Sequence, residues 1–264
     1  MTEWSIVCYD HDMRPGERQS TIADIVRDEG RVTVEALTRH FGASAETIRR
    51  DLATLSREGI IRKVHGGAVF PGSRGEDPFQ KRMGHNIAAK RHIAKKAITL
   101  VSAGDTLFID TGTTTLMFAR ELGSIDNLTI ITNSIEIARV VSTGNSSASL
   151  FLVGGAYNAD NRQTFGMMAM SQIEMFRGTL AVLAIGTVDA AAGAMDYNIE
   201  EAQVARAMIK QSQSAVILSD SSKFNRIAPF AVGPLSCFNT LVCETEPKGS
   251  LQRALEQSSV EIVF

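Results

Sequence analysis

Gly42-Ala-Ser-Ala-Glu-Thr-Ile-Arg-Arg-Asp-Leu-Ala-Thr-Leu-Ser-Arg-Glu-Gly-Ile-Ile-Arg-Lys-Val-His-Gly-Gly67 is the stretch that decides the fold. Laid out at about 100° per residue, Ala45, Ile48, Leu52 and Leu55 share one stripe and form the buried face. Glu46, Thr47, Arg50, Ala53, Thr54 and Arg57 face the other way, with Arg49 on the flank. Ser44 stands where a hydroxyl can accept from an unpaired first-turn amide. Gly59 stands where a helix wants a left-handed residue to stop. The outward face is short, polar and arginine-bearing, which suits a DNA major groove. A guanidinium grips a phosphate or the O6/N7 edge of guanine with two hydrogen bonds. The same charges also make an ordinary solvated helix with an ion pair such as Glu46 with Arg50.

Working outward, Ile22, Ile25 and Val26 form an apolar stripe on a helix over 16–29, and Val34, Leu37 and Phe41 form another that ends at Gly42. Two short amphipathic helices, a turn and the arginine helix make a helix-turn-helix. Residues 60–64 then read as a strand, and His65-Gly66-Gly67 as a turn back through 68–70. On this hairpin Arg62 and Lys63 are placed to meet backbone phosphate. His65 either touches DNA or is held by local hydrogen bonds in the turn. The expected DNA-contacting set is Ser44, Thr47, Arg49, Arg50, Thr54, Arg57, Arg62, Lys63 and His65.

The whole chain of 264 residues carries a net charge of −2, so it is not coated in basic residues. Local balance is more telling: residues 13–75 hold 11 Lys+Arg against 8 Asp+Glu, and residues 78–96 hold six basic groups and no acid. A modest surplus on one face is enough for DNA. Cys8, Cys237 and Cys243 show neither a metal spacing nor a disulfide framework, which points to a reducing cytoplasm and to no metal or other cofactor. No apolar run approaches a membrane span, and no signal peptide is evident. Residues 1–13 show no periodicity and read as a flexible tail, with Met13 a second candidate start. Residues 14–70 read as the DNA-binding domain and the breaker-rich 71–78 as a linker.

Beyond the linker the pattern becomes α/β. Residues 79–102 read as one helix with a basic side. Apolar strand-like runs recur at 107–109, 128–131, 150–153, 181–185, 215–218, 240–243 and 260–263, most of them separated by helical segments. That alternation predicts a mostly parallel sheet covered on both faces, with ligands at the carboxyl ends of its strands. Those ends are polar or glycine-rich: Asp110-Thr111-Gly112-Thr113-Thr114-Thr115, Thr132-Asn133-Ser134, Gly154-Gly155, Gly186-Thr187-Val188-Asp189 and Ser219-Asp220-Ser221-Ser222-Lys223. The first enters a helix and offers amides and hydroxyls to an anion. There is no Walker lysine, so a nucleoside triphosphate is not indicated. Read singly, the loop is simply a capped strand-to-helix turn. Read together, Lys223 can neutralise a phosphate while Asp110 and Asp189 accept from hydroxyls, an inventory that fits a small phosphorylated polyol or sugar.

The run Thr47-Ile48-Arg49-Arg50-Asp51-Leu52, followed by His65-Gly66-Gly67-Ala68, resembles the DeoR family of bacterial transcriptional repressors. The resemblance extends over about residues 14–264, through Asp110-x-Gly-Thr-Thr-Thr, Thr132-Asn133-Ser134, Gly154-Gly155 and Asp220-Ser-Ser-Lys223. It implies a winged helix-turn-helix followed over 79–264 by an α/β sensor and oligomerisation domain, similar in fold to ribose-5-phosphate isomerases, that binds phosphorylated sugars. Met195-Asp196-Tyr197-Asn198-Ile199-Glu200-Glu201 resembles the glycerol-3-phosphate branch of the family, a match that makes Glu201 the partner of an effector hydroxyl.

Two further readings stand beside this one. A sugar-phosphate isomerase would use a carboxylate to shuttle a proton, yet the isomerase pattern Asp-Gly-Ala-Asp is absent at 186–191. A transcriptional activator would use the same reader and the same ligand class. The expected partners are operator DNA, a phosphorylated sugar or polyol such as glycerol 3-phosphate, and further copies of the chain in a homodimer or homotetramer, because one winged helix makes few contacts. The two halves are expected to communicate through the 79–102 helix.

Overall fold

Arg18 on the first helix reaches Asp51 on the third, Nε to Oδ2 at 2.6 Å, and Gln19 donates to the other oxygen at 2.9 Å. These contacts, in a computed structural model that describes residues 13–29, 31–58, 60–64, 66–69, 79–145 and 147–264, tie together the smaller of two compact units. That unit falls within residues 1–75 and the larger within 76–264. The smaller contains α1 (Pro15–Glu29), β1 (Arg31–Thr33), α2 (Val34–Phe41), α3 (Ala45–Arg57), β2 (Arg62–Val64) and β3 (Gly67–Val69). Thr33 caps α2 by accepting from the Ala36 amide, and Gly42 ends it at φ 61°. The expected stripes bury together: Ile22, Val26, Leu37, Phe41, Ile48, Leu52 and Leu55 form one core with Ile61 and Ala68.

The wing differs from the expected hairpin in one respect. β3 pairs antiparallel with both β2 and β1, so the ribbon is a three-stranded sheet in the order β1-β3-β2. The two glycines of the turn have separate jobs. Gly66 adopts φ +77°, and a Cβ on Gly67 would stand 2.0 Å from the Val32 carbonyl oxygen. Glycine is needed first for conformation and then for close approach. The expected stop at Gly59 and the turn residue His65 lie outside the described residues, and Glu58 forms the C-cap of α3.

The larger unit begins with α4 (Phe79–Met83) and α5 (Ile87–Ala97). The single helix expected over 79–102 is therefore broken. Asn86 sits at φ 51° between the two pieces, and its Nδ2 donates to Asp220 Oδ1 at 2.9 Å. A left-handed residue interrupts the helical path, and a long-range hydrogen bond holds it there. The chain continues as β4 (Thr106–Ile109), α6 (Thr113–Glu121), β5 (Thr129–Thr132), α7 (Ile135–Gly144), β6 (Ser149–Leu152), β7 (Ala156–Asn158), β8 (Gln163–Phe165) and α8 (Met167–Ile173). There follow β9 (Gly178–Leu183), β10 (Thr187–Asp189), β11 (Gly193–Asp196), α9 (Ile199–Lys210), β12 (Ser212–Leu218), β13 (Phe230–Gly233), β14 (Thr240–Val242), α10 (Ser250–Gln257) and β15 (Glu261–Val263).

Seven strands form one sheet, every pair parallel, in the order β15-β14-β12-β9-β4-β5-β6. Alternation along β4 sends Leu107 and Ile109 into a layer with α5, α6 and α7, and Phe108 into the opposite layer with α8, α9 and α10. Burial on both faces explains the near-continuous apolar strands. From β4 the chain winds outward through β5 to β6, then returns to the other side of β4 as β9 and winds outward the other way. β4 and β9 therefore flank the topological switch point, where the loops leaving two adjacent strands diverge and open a crevice. No described helix is long and apolar enough to cross a membrane.

Asp51→Ala leaves Arg18 and Gln19 without their shared acceptor, with Asp51 only 3% exposed. Urea denaturation of the full chain should show the smaller unit destabilised by about 2–4 kcal/mol. A midpoint within error of the wild type would mean that this contact does not hold α1 on α3.

Candidate functional site

Each unit carries one candidate site. On α3 the Ser44 hydroxyl accepts from the Thr47 amide at 3.1 Å and meets the Thr47 hydroxyl at 2.9 Å, so its first role is the N-cap. Arg49 and Arg50 are exposed. The surface ion pair is Glu46 with Arg49 at 3.9 Å, the i,i+3 neighbour rather than the i,i+4 pair with Arg50. Arg57 folds back, its Nη2 donating to the Thr54 hydroxyl at 3.2 Å and its Nε to the Ala53 carbonyl at 3.4 Å. Arg62 is half-buried on β2 and Lys63 is exposed beside it. Asp51, within the same motif, points inward to Arg18 and holds the reading helix to α1.

The second site lies at the carboxyl edge of the parallel sheet. Asp110 follows β4, and both its carboxylate oxygens face the amide of Ala184, just past β9, at 3.0 and 2.9 Å. The backbone repeats the link, since the Asp110 amide donates to the Val182 carbonyl at 3.2 Å. Burial raises the Asp110 pKa from 3.8 to about 7; the Ala184 amide opposes that rise, the neighbouring Asp196 carboxylate adds to it and Lys223 opposes it. Lys223 is fixed in the same crevice, its Nζ donating to the Ile185 carbonyl at 2.9 Å.

The Asp110–Thr115 loop is packed rather than open. Thr111, Thr113, Thr114 and Thr115 are buried, and Thr115 Oγ1 donates to the carbonyls of Asp110 and Gly112. Gly112 is the N-cap of α6, and a Cβ there would stand 2.4 Å from the Ala184 Cβ and 2.9 Å from Thr115 Oγ1. The first helical bond runs from the Leu116 amide to Gly112. The amides of Thr113, Thr114 and Thr115 thus have no partner within the helix and form its positive end.

From this loop a line of buried amides crosses the sheet edge. Thr111 Oγ1 donates to Asn133 Oδ1 at 3.2 Å, and Asn133 Nδ2 to the Thr164 carbonyl at 3.0 Å and Gln163 Oε1 at 3.4 Å. Gln163 Nε2 and Asn161 Nδ2 both donate to Glu201 Oε1, at 2.6 and 2.5 Å. Asn161 in turn accepts from Arg82 Nη2 at 3.2 Å, and the buried Lys90 donates to the Arg82 carbonyl at 2.6 Å. Asn133 and Glu201, expected from sequence, are therefore joined through Gln163, and Asn161 links Glu201 on to Arg82; sequence reasoning missed both Gln163 and Asn161. Both sit around the β7–β8 turn, and no local pattern announces a turn that folds back over a distant helix.

Other expected residues have structural work. Thr132 Oγ1 accepts from the Ser134 amide at 3.1 Å, and Ser134 Oγ caps α7 through the Ile137 amide at 3.3 Å. The Gly154 amide donates to Gln172, and a Cβ on Gly155 would lie 2.4 Å from the Phe165 carbonyl, so this pair serves a close turn into β7. Asp189 accepts from the Ala191 and Ala192 amides at 2.9 Å each and shapes the β10–β11 hairpin. The acid beside Asp110 is instead Asp196, 5% exposed at the opposite end of that hairpin. Its Oδ1 accepts from the Tyr197 amide at 2.6 Å and the Asn198 amide at 3.2 Å. The signal for it was its place just before Asn198, which caps α9 through the Glu200 amide.

A helix-turn-helix with a wing, followed by a parallel α/β unit with a polar crevice at its switch point, defines a regulator with separate reading and sensing parts. Residues 18–74 match the DeoR-like helix-turn-helix domain and residues 85–245 the DeoR C terminal sensor domain. The glycerol-3-phosphate regulon repressor of Escherichia coli (strain K12) is 30% identical over 250 residues, covering 95% of this chain and 99% of that protein. Its namesake in Haemophilus influenzae is 32% identical, with 94% and 96% covered. The transcriptional repressor AccR of Agrobacterium fabrum is 35% identical over 80% of this chain and 82% of its own. A solved ribose 5-phosphate isomerase from Methanocaldococcus jannaschii aligns over 51% of this chain and 53% of its own, at 18% identity and a TM-score of 0.38. The chain belongs to the DeoR family of transcriptional regulators.

Folding lifts the Asp110 pKa from 3.8 to about 7, so between those values the folded chain keeps a proton that the unfolded chain has released. Stability contributed by this group therefore falls as pH rises through that window. Urea melts at about pH 5 and about pH 8 should show a larger loss for the wild type than for Asp110→Asn, which keeps an acceptor for Ala184 but does not ionise. Equal losses would mean that Asp110 titrates near its ordinary value.

Proposed function

We propose that this chain is a cytoplasmic DNA-binding repressor, held on its operator through α3 and the wing and released by a phosphorylated sugar or polyol at the sensor's switch point. The observation that carries the reading is the meeting of three features at one sheet edge. These are the positive end of α6 at Thr113–Thr115, the Lys223 ammonium on Ile185, and the buried carboxylates Asp110 and Asp196. The first two suit a phosphate and the last two suit hydroxyl groups. Glycerol 3-phosphate is the first candidate, in keeping with the names of two of the relatives.

We read the site as one that binds without turnover. Both Asp110 oxygens face one amide and Glu201 Oε1 takes two amide donors, which orients these carboxylates for holding rather than for moving a proton. On this reading Thr47, Arg49, Arg50 and Thr54 face the groove while Arg62 and Lys63 meet phosphate. The sensor unit assembles the chain into a homodimer or homotetramer.

Fluorescence anisotropy on DNA flanking the gene, with glycerol 3-phosphate, pentose phosphates and hexose phosphates, tests the whole reading. Competitor-resistant binding released by one of them is the expected result. Binding untouched by all of them would remove the effector class, and isomerisation of any of them would replace binding with catalysis. Arg50→Ala should weaken specific binding by roughly 1–3 kcal/mol and relax sequence preference. Lys63→Ala should weaken all sequences alike and lower the salt slope by about one. Lys223→Ala should leave operator affinity unchanged and abolish release. Full release in that variant would move the phosphate site elsewhere.

A further inference from the structure

The outer face of α5 carries a run of cations that neither proposed site uses. Residues 78–96 hold six Lys+Arg and no acid, and folding sorts them into two sets. Arg82 and Lys90 turn inward, the first to Asn161 and the second to the Arg82 carbonyl. Arg91 and Lys95 are exposed on α5, with exposed His92 and half-buried Lys96 beside them. At about 100° per residue these four share an arc of about 140°. The opposite side of the helix holds the buried Lys90, Ile93, Ala94 and Ala97.

These charges do more than serve the helix that bears them. Lys95 and Lys96 occupy its last turn, where a cation gains from the negative end of the dipole. Arg91 stands mid-helix, has no such gain and repels Lys95 one turn on, at i,i+4. No acid occupies the first turn, and none of Arg91, His92, Lys95 and Lys96 forms an ion pair among the described residues. A solvated helix face ordinarily alternates its signs. A face of one sign, kept against its own repulsion, is complementary to an anionic surface.

The chemistry of the face selects among anionic surfaces. A lipid surface takes a basic helix through its apolar side, but here Ile93, Ala94 and Ala97 are buried in a core with α6 and β4. Single-stranded nucleic acid calls for aromatic platforms, and α5 holds no Phe, Tyr or Trp. Duplex DNA offers one phosphate charge per 1.7 Å of its axis, and lysine and arginine alone are enough to meet it. The chain also brings DNA to this face. Its DeoR-like helix-turn-helix match ends at residue 74. Nine residues, 70–78, separate β3 from α4 and can span at most about 30 Å, close to one turn of the double helix. DNA held by α3 is therefore present at high effective concentration near α5.

We propose that the Arg91–Lys95 face of α5 is a second DNA contact, on the sensor unit, that grips duplex phosphate without reading sequence. This contact rests on the DNA-binding reading above and is independent of the effector's identity.

Anisotropy titrations of the full chain over a range of salt concentrations test it, on the DNA flanking the gene and on an unrelated duplex of equal length. Arg91→Ala/Lys95→Ala should lower the slope of log affinity against log salt by about two on both duplexes. The ratio of the two affinities should stay at its wild-type value, and circular dichroism should be unchanged. Arg91→Lys/Lys95→Arg keeps both charges and should keep the wild-type slope. Lys210→Ala/Arg253→Ala removes the same net charge from exposed positions on α9 and α10, across the sheet from α5, and should also leave the slope unchanged.

A wild-type slope in the folded Arg91→Ala/Lys95→Ala variant would overturn the contact and leave the DNA-binding reading standing, including the case in which the face serves an acidic protein. An equal fall in Lys210→Ala/Arg253→Ala would overturn it in favour of a general loss of charge. A wild type that binds neither duplex would overturn the DNA-binding reading and this contact with it.

Discussion

The contact between the Asp110 carboxylate and the Ala184 amide is the constraint on which the sensor unit turns. It closes the gap between β4 and β9, the two strands from which the chain winds in opposite directions. A parallel sheet has to leave a crevice at such a place, because the loops above it diverge. Here the floor of the crevice is fixed by a side chain accepting from the neighbouring strand's first loop amide, repeated by the Asp110 amide on Val182. The cost is a buried carboxyl whose pKa rises to about 7. Gly112 follows from the same constraint: the backbone passes so close to Ala184 that a Cβ has no room.

Around that floor the polar groups are held by one another. Thr111, Asn133, Gln163 and Glu201 form an unbroken line of hydrogen bonds, extended by Asn161 to Arg82 on α4. Buried amides of this kind are either satisfied together or costly together, which ties the Asp110–Thr115 loop, the β7–β8 turn and the start of α9 into one arrangement. α4 opens the larger unit, and the Arg82–Asn161 bond joins it to this network. The break at Asn86 separates α4 from α5, so no single helix spans 79–102.

Much of this was legible before folding was considered. Helical periodicity separates Ile48, Leu52 and Leu55 from Arg49 and Arg50, and the recurring apolar runs announce a sheet buried on both faces. Polar strand ends gather at the carboxyl edge of the sheet. A polar residue near a strand end can serve a ligand or its own backbone, and local sequence does not separate the two roles. Asp189 and the Gly154-Gly155 pair serve turns, and Ser44 serves as a cap. Asp51 lies in the most informative motif of the chain, yet it turns away from the reading face because Arg18 lies 33 positions upstream and folds back to it.

Local order therefore lay within the sequence itself: element type follows from periodicity and capping, and the two-part organisation follows from the change of pattern near residue 78. Only the tertiary structure decided which acid stands beside Asp110 and which amides hold Glu201. It alone shows that, among the described residues, β6 pairs on one side only. The reason is physical. Periodicity and caps are set by neighbours within about four residues, whereas these pairings join strands and turns separated by tens of residues, and their geometry exists only once the sheet order is in place.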